Sequence, residues 1–236
     1  MKIGILCAGD RELVPFLPHI ENERISETAM LTVHEGTIHG ADIAALYSGV
    51  CKVNAAIAAQ VLIDRFHADL IINAGTCGGM DPSLDLFDTV IAAESAYHDV
   101  TANILTEFHP WLNSIWLPSD ALLLSLARRA ADRKTHEHKI VFGRMVTGEA
   151  FITDDGRDEI NESFHPLSVD METAAVAHVC HVNQIPFISL RCITDTPVRR
   201  GSGEFERNCE KASALAKDIT LALIEEIRAS EGELNQ

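Results

Sequence analysis

Three carboxylates stand where apolar runs end. Glu12 follows the run at residues 2–8, Glu172 follows 167–170, and Asp195 closes the run at 186–193. In open α/β sheets ligands lie beyond the carboxyl ends of the strands. The candidates for chemistry are therefore the residues just past such runs: Glu12, Thr76, Gly78, Phe151, Glu172 and Asp195. Carboxylates arriving from opposite ends of the chain suit hydrolysis of a glycosidic bond. One protonates the leaving group and the other activates water.

Each candidate also has a plainer reading. An acid that closes an apolar strand is costly unless it is paired or functional. Asp195 is thus either a general acid or the ion-pair partner of Arg191, four residues earlier. Glu172 either caps the positive end of a helix dipole or accepts two sugar hydroxyls. In Gly75-Thr76-Cys77-Gly78-Gly79 the glycines allow close backbone approach to a ligand, or they merely make a tight turn. No Lys follows, so it is not a nucleotide phosphate loop. Cys77 reads as a buried thiol, since no base is linked to it. His178 and His181 give two ligands on one helix with no third, so no metal site is expected. No cofactor is called for.

Alternating strands and helices must place these groups. Strands are expected at residues 2–8, 41–47, 69–74, 87–94, 139–146, 167–170 and 186–193. The spacing of Val53, Ile57 and Val61, with Leu62 and Phe66, predicts an amphipathic helix. Further helices are expected at 119–133, 155–163 and 171–182. A final one buries Ala212, Leu215, Ala216, Ile219, Leu223 and Ile227. Asp10 is placed as the cap of a helix through Glu12, Leu13, Phe16 and Leu17. Residues 29–39 read as a hairpin arm turning at Glu35-Gly36, and 75–79 as a turn. The tail at 231–236 is polar and expected to fray. The order implies an α/β fold: one domain over residues 1–236, with a mixed, mostly parallel central sheet flanked by helices.

Composition narrows the partners. A net charge of −16 over 236 residues repels nucleic-acid phosphates and anionic membrane surfaces. Six cysteines without a C-x-x-C pair suit reduced thiols and a cytoplasmic setting. No run is long enough to span a membrane, and the apolar run at the N-terminus is too short for a signal peptide.

Several motifs in one order carry a resemblance over nearly the whole chain. They are Met1-Lys2-Ile3-Gly4-Ile5 with Glu12, Ile71 to Gly79, Tyr97-His98-Asp99, Gly148-Glu149-Ala150-Phe151-Ile152, Met171-Glu172, Ala177 to His181 and Arg191 to Asp195. Together they resemble the nucleoside phosphorylase superfamily, and within it the 5'-methylthioadenosine/S-adenosylhomocysteine nucleosidases. The resemblance implies cleavage of an adenine nucleoside, with Glu12 activating water and Asp195 protonating the purine N7. It implies that Glu172 accepts the ribose hydroxyls and Met171 packs on the sugar. Phe151 would stack on adenine and Ile152 would offer backbone hydrogen bonds. Thr76 and Gly78 would flank base and sugar, Thr76 standing where relatives commonly have Ser. It further implies a homodimer.

To act as an acid Asp195 needs a raised pKa, so Arg191 is expected to be held by another group. Glu149 stands where many relatives have Asp. Residues 100–116 match less well, in a region that lines the 5'-substituent pocket of relatives. Three alternatives stay open. A phosphorylase would use phosphate; relatives that do so commonly carry Arg where this chain has Asn73, and Arg11 is the cation near the first turn. A silent nucleoside-binding protein would lack Glu12 or Asp195. A nucleosidase for another 5'-modified adenosine, such as aminodeoxyfutalosine, would use the same residues.

Overall fold

A computed structural model describes residues 1–109, 111–133, 136–153 and 156–234. The chain opens with strand β1 (Lys2–Cys7), a single helical turn α1 (Asp10–Leu13) and a 3₁₀ stretch at Val14–His19. Pro15 and Pro18 keep that stretch from continuing as an α-helix. Gly9, not Asp10, occupies the cap position of α1. Strands β2 (Glu21–Thr28), β3 (Leu31–Ile38) and β4 (Ala41–Tyr47) form an antiparallel meander. Glu35 and Gly36 lie inside β3 rather than at a turn, and the chain reverses at Ala29-Met30 and His39-Gly40.

Next come helix α2 (Lys52–Phe66), strand β5 (Leu70–Gly79) and strand β6 (Thr89–Tyr97). β5 runs straight through the glycine segment read above as a turn. Helix α3 (Ala102–Phe108), strand β7 (Leu117–Pro118), helix α4 (Ala121–Asp132) and strand β8 (Ile140–Thr147) follow. The last third holds helix α5 (Arg157–Phe164), strand β9 (Ser168–Asp170), helix α6 (Thr173–Asn183), strand β10 (Phe187–Asp195) and helix α7 (Ser202–Leu234). The start of the helix expected from Asp155 lies outside the described residues. The tail is helical as far as Leu234; Asn235 and Gln236 also lie outside them.

The centre of the sheet is parallel, in the order β4, β1, β5, β10. β6, β8 and β9 run parallel to one another, and β10–β6 and β5–β9 pair antiparallel. Neighbours β5, β10, β6, β8 and β9 thus close into a ring, with the meander extending from β1.

Strand alternation divides the core. Ile3, Ile5, Ile43 and Ile72 face Leu123 and Leu126 of α4 and Leu223 and Ile224 of α7. Leu6, Leu46 and Ile71 face Ala58 and Leu62 of α2 and Val176 and Cys180 of α6. With helices on both faces, these strands read as nearly continuous apolar runs. The carboxyl ends of β1, β5 and β10 lie on one edge of the parallel centre.

Candidate active site

Glu12 enters from α1 with its carboxylate buried. One oxygen accepts the backbone N–H of Ala8 (2.8 Å) and of Gly9 (3.0 Å). The other accepts the Thr76 N–H and hydroxyl, both at 2.7 Å. The group is thus fixed between the ends of β1 and β5. Gly75 is required there, because a β-carbon on it would lie 2.5 Å from Glu12 Oε1.

Asp195 ends β10 and is 1% exposed. A bulge between Ile193 and Asp195 brings it opposite Gly78 of β5. Such a bulge shifts the alternation, so Asp195 and Arg191 no longer share a face. The Arg191–Asp195 pair is not formed. Asp195 instead faces Arg157 of α5, at 3.6 Å, and the Thr194 hydroxyl, at 3.1 Å. Burial pushes its pKa up to about 6, against the pull of Thr194 and Arg157. Arg157 also donates to the carbonyls of Gly79 and Ile152, which ties the acid to the segment that follows β8.

Glu172 precedes α6 and is equally buried. Its Oε1 accepts the Cys51 N–H (3.0 Å) and its Oε2 pairs with Arg191 (3.1 Å). Arg191 also pairs with Asp170 (2.8 Å) and donates to the Thr76 carbonyl (2.8 Å) and Asn73 Oδ1 (3.0 Å). The expectation that another group holds Arg191 is met. Burial would lower the Arg191 pKa, but Asp170 and Glu172 raise it further, so it stays charged. Burial pushes Glu172 upward, and Asp170 adds to this against Arg191. Glu172 is thus more than a helix-start acid: one buried guanidinium orients it together with Asp170.

These groups surround a cavity of about 350 Å³. Its lining includes every expected site residue: Glu12, Thr76, Gly78, Phe151, Ile152, Met171, Glu172 and Asp195. The volume suits one small organic ligand. Phe151 is 41% exposed and stacks edge-on against Phe205 of α7, with centroids 6.2 Å apart. Cys77 also lines the cavity, and burial raises its thiol pKa well above the ordinary range, which opposes a nucleophilic role. Among the described residues no group of three or more His, Cys, Asp or Glu is arranged to hold a metal.

Four contributors escaped the sequence reading: Arg157, Asp170, Phe205 and the Cys51 amide. Arg157 stands in a polar helix and Phe205 far along the chain, so neither carries a local signal. Three buried carboxyl groups, Glu12, Glu172 and Asp195, thus line one cavity, a set able to carry acid–base chemistry on a glycosidic bond.

Residues 2–225 match the sequence model of the phosphorylase superfamily. A 5'-methylthioadenosine/S-adenosylhomocysteine nucleosidase of Anoxybacillus flavithermus is 30% identical, over 96% of this chain and 99% of its own. The chain belongs to this superfamily and to its methylthioadenosine/S-adenosylhomocysteine nucleosidase family. It is similar to a solved Colwellia psychrerythraea nucleosidase in complex with adenine. That match has a TM-score of 0.88 and 30% identity, covering 96% of this chain and 95% of the other. A Neisseria meningitidis nucleosidase in complex with methylthio-immucillin-A gives a TM-score of 0.87 at 29% identity, covering 94% and 98%. Family membership makes this chain a purine N-glycosyl hydrolase and fits the fold expected from the sequence.

Proposed function

We propose that the protein hydrolyses the N-glycosidic bond of 5'-methylthioadenosine and S-adenosylhomocysteine, releasing adenine and the thioribose. The observation that carries this is the convergence of Glu12, Glu172 and Asp195 on one buried cavity. Adenine lies between Phe151 and the Gly78 segment, with Ile152 offering backbone groups. Asp195, its pKa raised by burial, gives a proton to N7 as the bond weakens. Charge then builds on the sugar rather than on the leaving base. Glu172 accepts the ribose hydroxyls, and Met171 packs on the ring. Glu12 takes a proton from a water beside the anomeric carbon. Each such transfer contributes about 10²–10⁴-fold.

The cavity also favours water over phosphate. A phosphorylase needs cations or amides available to an anion. Here Arg11 pairs with Glu206 (2.8 Å), Arg157 faces Asp195, and Arg191 pairs with Asp170 and Glu172. Asn73 is buried, donating to the Leu6 carbonyl (2.9 Å) and accepting from Arg191.

Chromatography of products from 5'-methylthioadenosine, with and without phosphate, tests the reading. Adenine and free methylthioribose are expected in both. A sugar phosphate formed only with phosphate would establish the phosphorylase instead. Adenine released only from another 5'-substituted adenosine would move the substrate. Release from none would leave a binding protein.

We also infer a homodimer. Val50 just before α2, Val53 and Ile57 in its first turns, Ile104 and Phe108 of α3, and Trp111 are exposed apolar residues. Trp111 leans on α6 through its carbonyl and His181 (3.1 Å), and α2 packs on the same helix. A patch of this kind suits a partner subunit. The six free cysteines support a reducing, cytoplasmic setting, and among the described residues no helix is long and apolar enough to cross a membrane.

A further inference from the structure

Outside the cavity lining, three elements meet in a closed ring of polar contacts. Lys52 is the first residue of α2, Asp99 follows β6 by two residues, and Glu149 follows β8 by two. The Lys52 ammonium binds both Asp99 oxygens, at 2.8 and 2.9 Å. Asp99 Oδ2 also accepts the Glu149 N–H at 2.9 Å. Glu149 Oε1 in turn accepts the Lys52 N–H at 3.2 Å. The Lys52 ammonium lies over the Tyr97 ring, 5.3 Å from its centroid. Gly148 packs so tightly against the His98 ring that no side chain fits there.

The ring touches the site at two points. Cys51, just before Lys52, gives its N–H to Glu172, the hydroxyl acceptor. Two residues past Glu149 stands Phe151, and then Ile152, the arm facing the base. Cys51 holds φ 81° and ψ 160°, a region nearly confined to glycine. Strain of this kind persists only where neighbours over-determine the backbone. Here Glu172 holds the amide on one side of that residue, and Glu149 with Asp99 holds Lys52 on the other.

We infer that Lys52 and Asp99 are positioning residues that clamp the sugar side of the site to its base side. They fix the Cys51 amide on Glu172 and the Glu149–Ile152 arm over adenine, and they touch neither substrate nor reacting atoms. The inference rests on the nucleosidase reading for its substrate. The ring also gives a purpose to the Tyr97-His98-Asp99 motif and to Glu149.

The test uses full-length Lys52→Met, Asp99→Asn and the double variant, with Lys52→Arg as the conservative control. Steady-state kinetics on 5'-methylthioadenosine are read beside calorimetric titration with adenine. Each single change should raise KM and the adenine Kd about tenfold, the loss of roughly one charge-assisted hydrogen bond. The kcat should stay within about threefold and ligand-free melting should be unchanged. The double variant should be no worse than the worse single, because the pair acts as a unit. Lys52→Arg should restore wild-type binding. Multiplying single effects, or an unchanged KM and adenine Kd, would overturn the clamp. Near-isosteric Asp99→Asn decides the matter if Lys52→Met does not fold. Wild-type protein that binds adenine but releases none would sink the nucleosidase reading alone, and the titrations would still judge the clamp.

Discussion

Burial holds the Asp195 carboxyl near pKa 6 in the ligand-free protein, up from its ordinary 3.8. This affects rate and stability in opposite ways. As a general acid it works while protonated, so kcat/KM should decline on the alkaline side with an apparent pKa near 6. For stability, the folded protein binds this proton more tightly than the unfolded chain does. Stability therefore falls as pH rises from about 4 to about 6. The penalty is absent below that window and fully present above it, on the order of 3 kcal/mol. Asp195→Asn should cost at least about 10²-fold in turnover. It should nevertheless melt above the wild type at pH 8 and level with it at pH 4. Arg157 keeps its carbonyl partners in that variant. A variant that melts lower at pH 8 would show that the carboxylate is not held under desolvation. That Glu12, Thr76, Gly78, Phe151, Ile152, Met171, Glu172 and Asp195 share one cavity was legible because each follows an apolar run or matches a motif. Arg157 and Asp170 were not, because their roles exist only through partners brought near by folding.

Elements add a constraint that single residues do not show. β5 continues through Gly75 to Gly79 because ring closure supplies it with partners on both sides, β10 along its length and β9 at its end. Sequence alone reads five glycine-rich residues as a turn, since glycine is poor in strands. The strand reading changes what Gly75 is for. It is a site of close approach, where absence of a side chain admits Glu12. Gly75→Ala should push the Glu12 carboxylate off its four donors and lower turnover by roughly 10²-fold, the value of one proton transfer. Adenine titration should be little changed, as Asp195 and the Phe151 arm lie elsewhere. Unchanged kcat would mean that water is activated by another group. The same scale explains why β2 was missed. Glu21–Thr28 is exposed on nearly every residue, so no alternation marks it. α3 and β7 are too short to carry a clear period.

At the scale of the molecule, the ring of strands brings its strand-end groups to one cavity and leaves an apolar flank beside it. The flank and the site are contiguous: Val50 lines the cavity and is itself exposed. The exposed residues of α3 and Trp111 belong to residues 100–116, the segment read from the sequence as matching the resemblance less well. A second subunit on this flank would shield the patch and narrow the cavity mouth where a 5'-substituent projects. Sedimentation of the wild type should therefore give a dimer. Ile57→Asp, which places a charge in the patch, should shift it toward monomer. The monomer should keep adenine affinity, since Phe151, Ile152 and Asp195 belong to one chain. It should lose affinity for 5'-methylthioadenosine, whose sulfur end would face water. A monomeric Ile57→Asp protein with wild-type KM would show that one chain completes the pocket. A dimer that persists through the change would place the interface on another face.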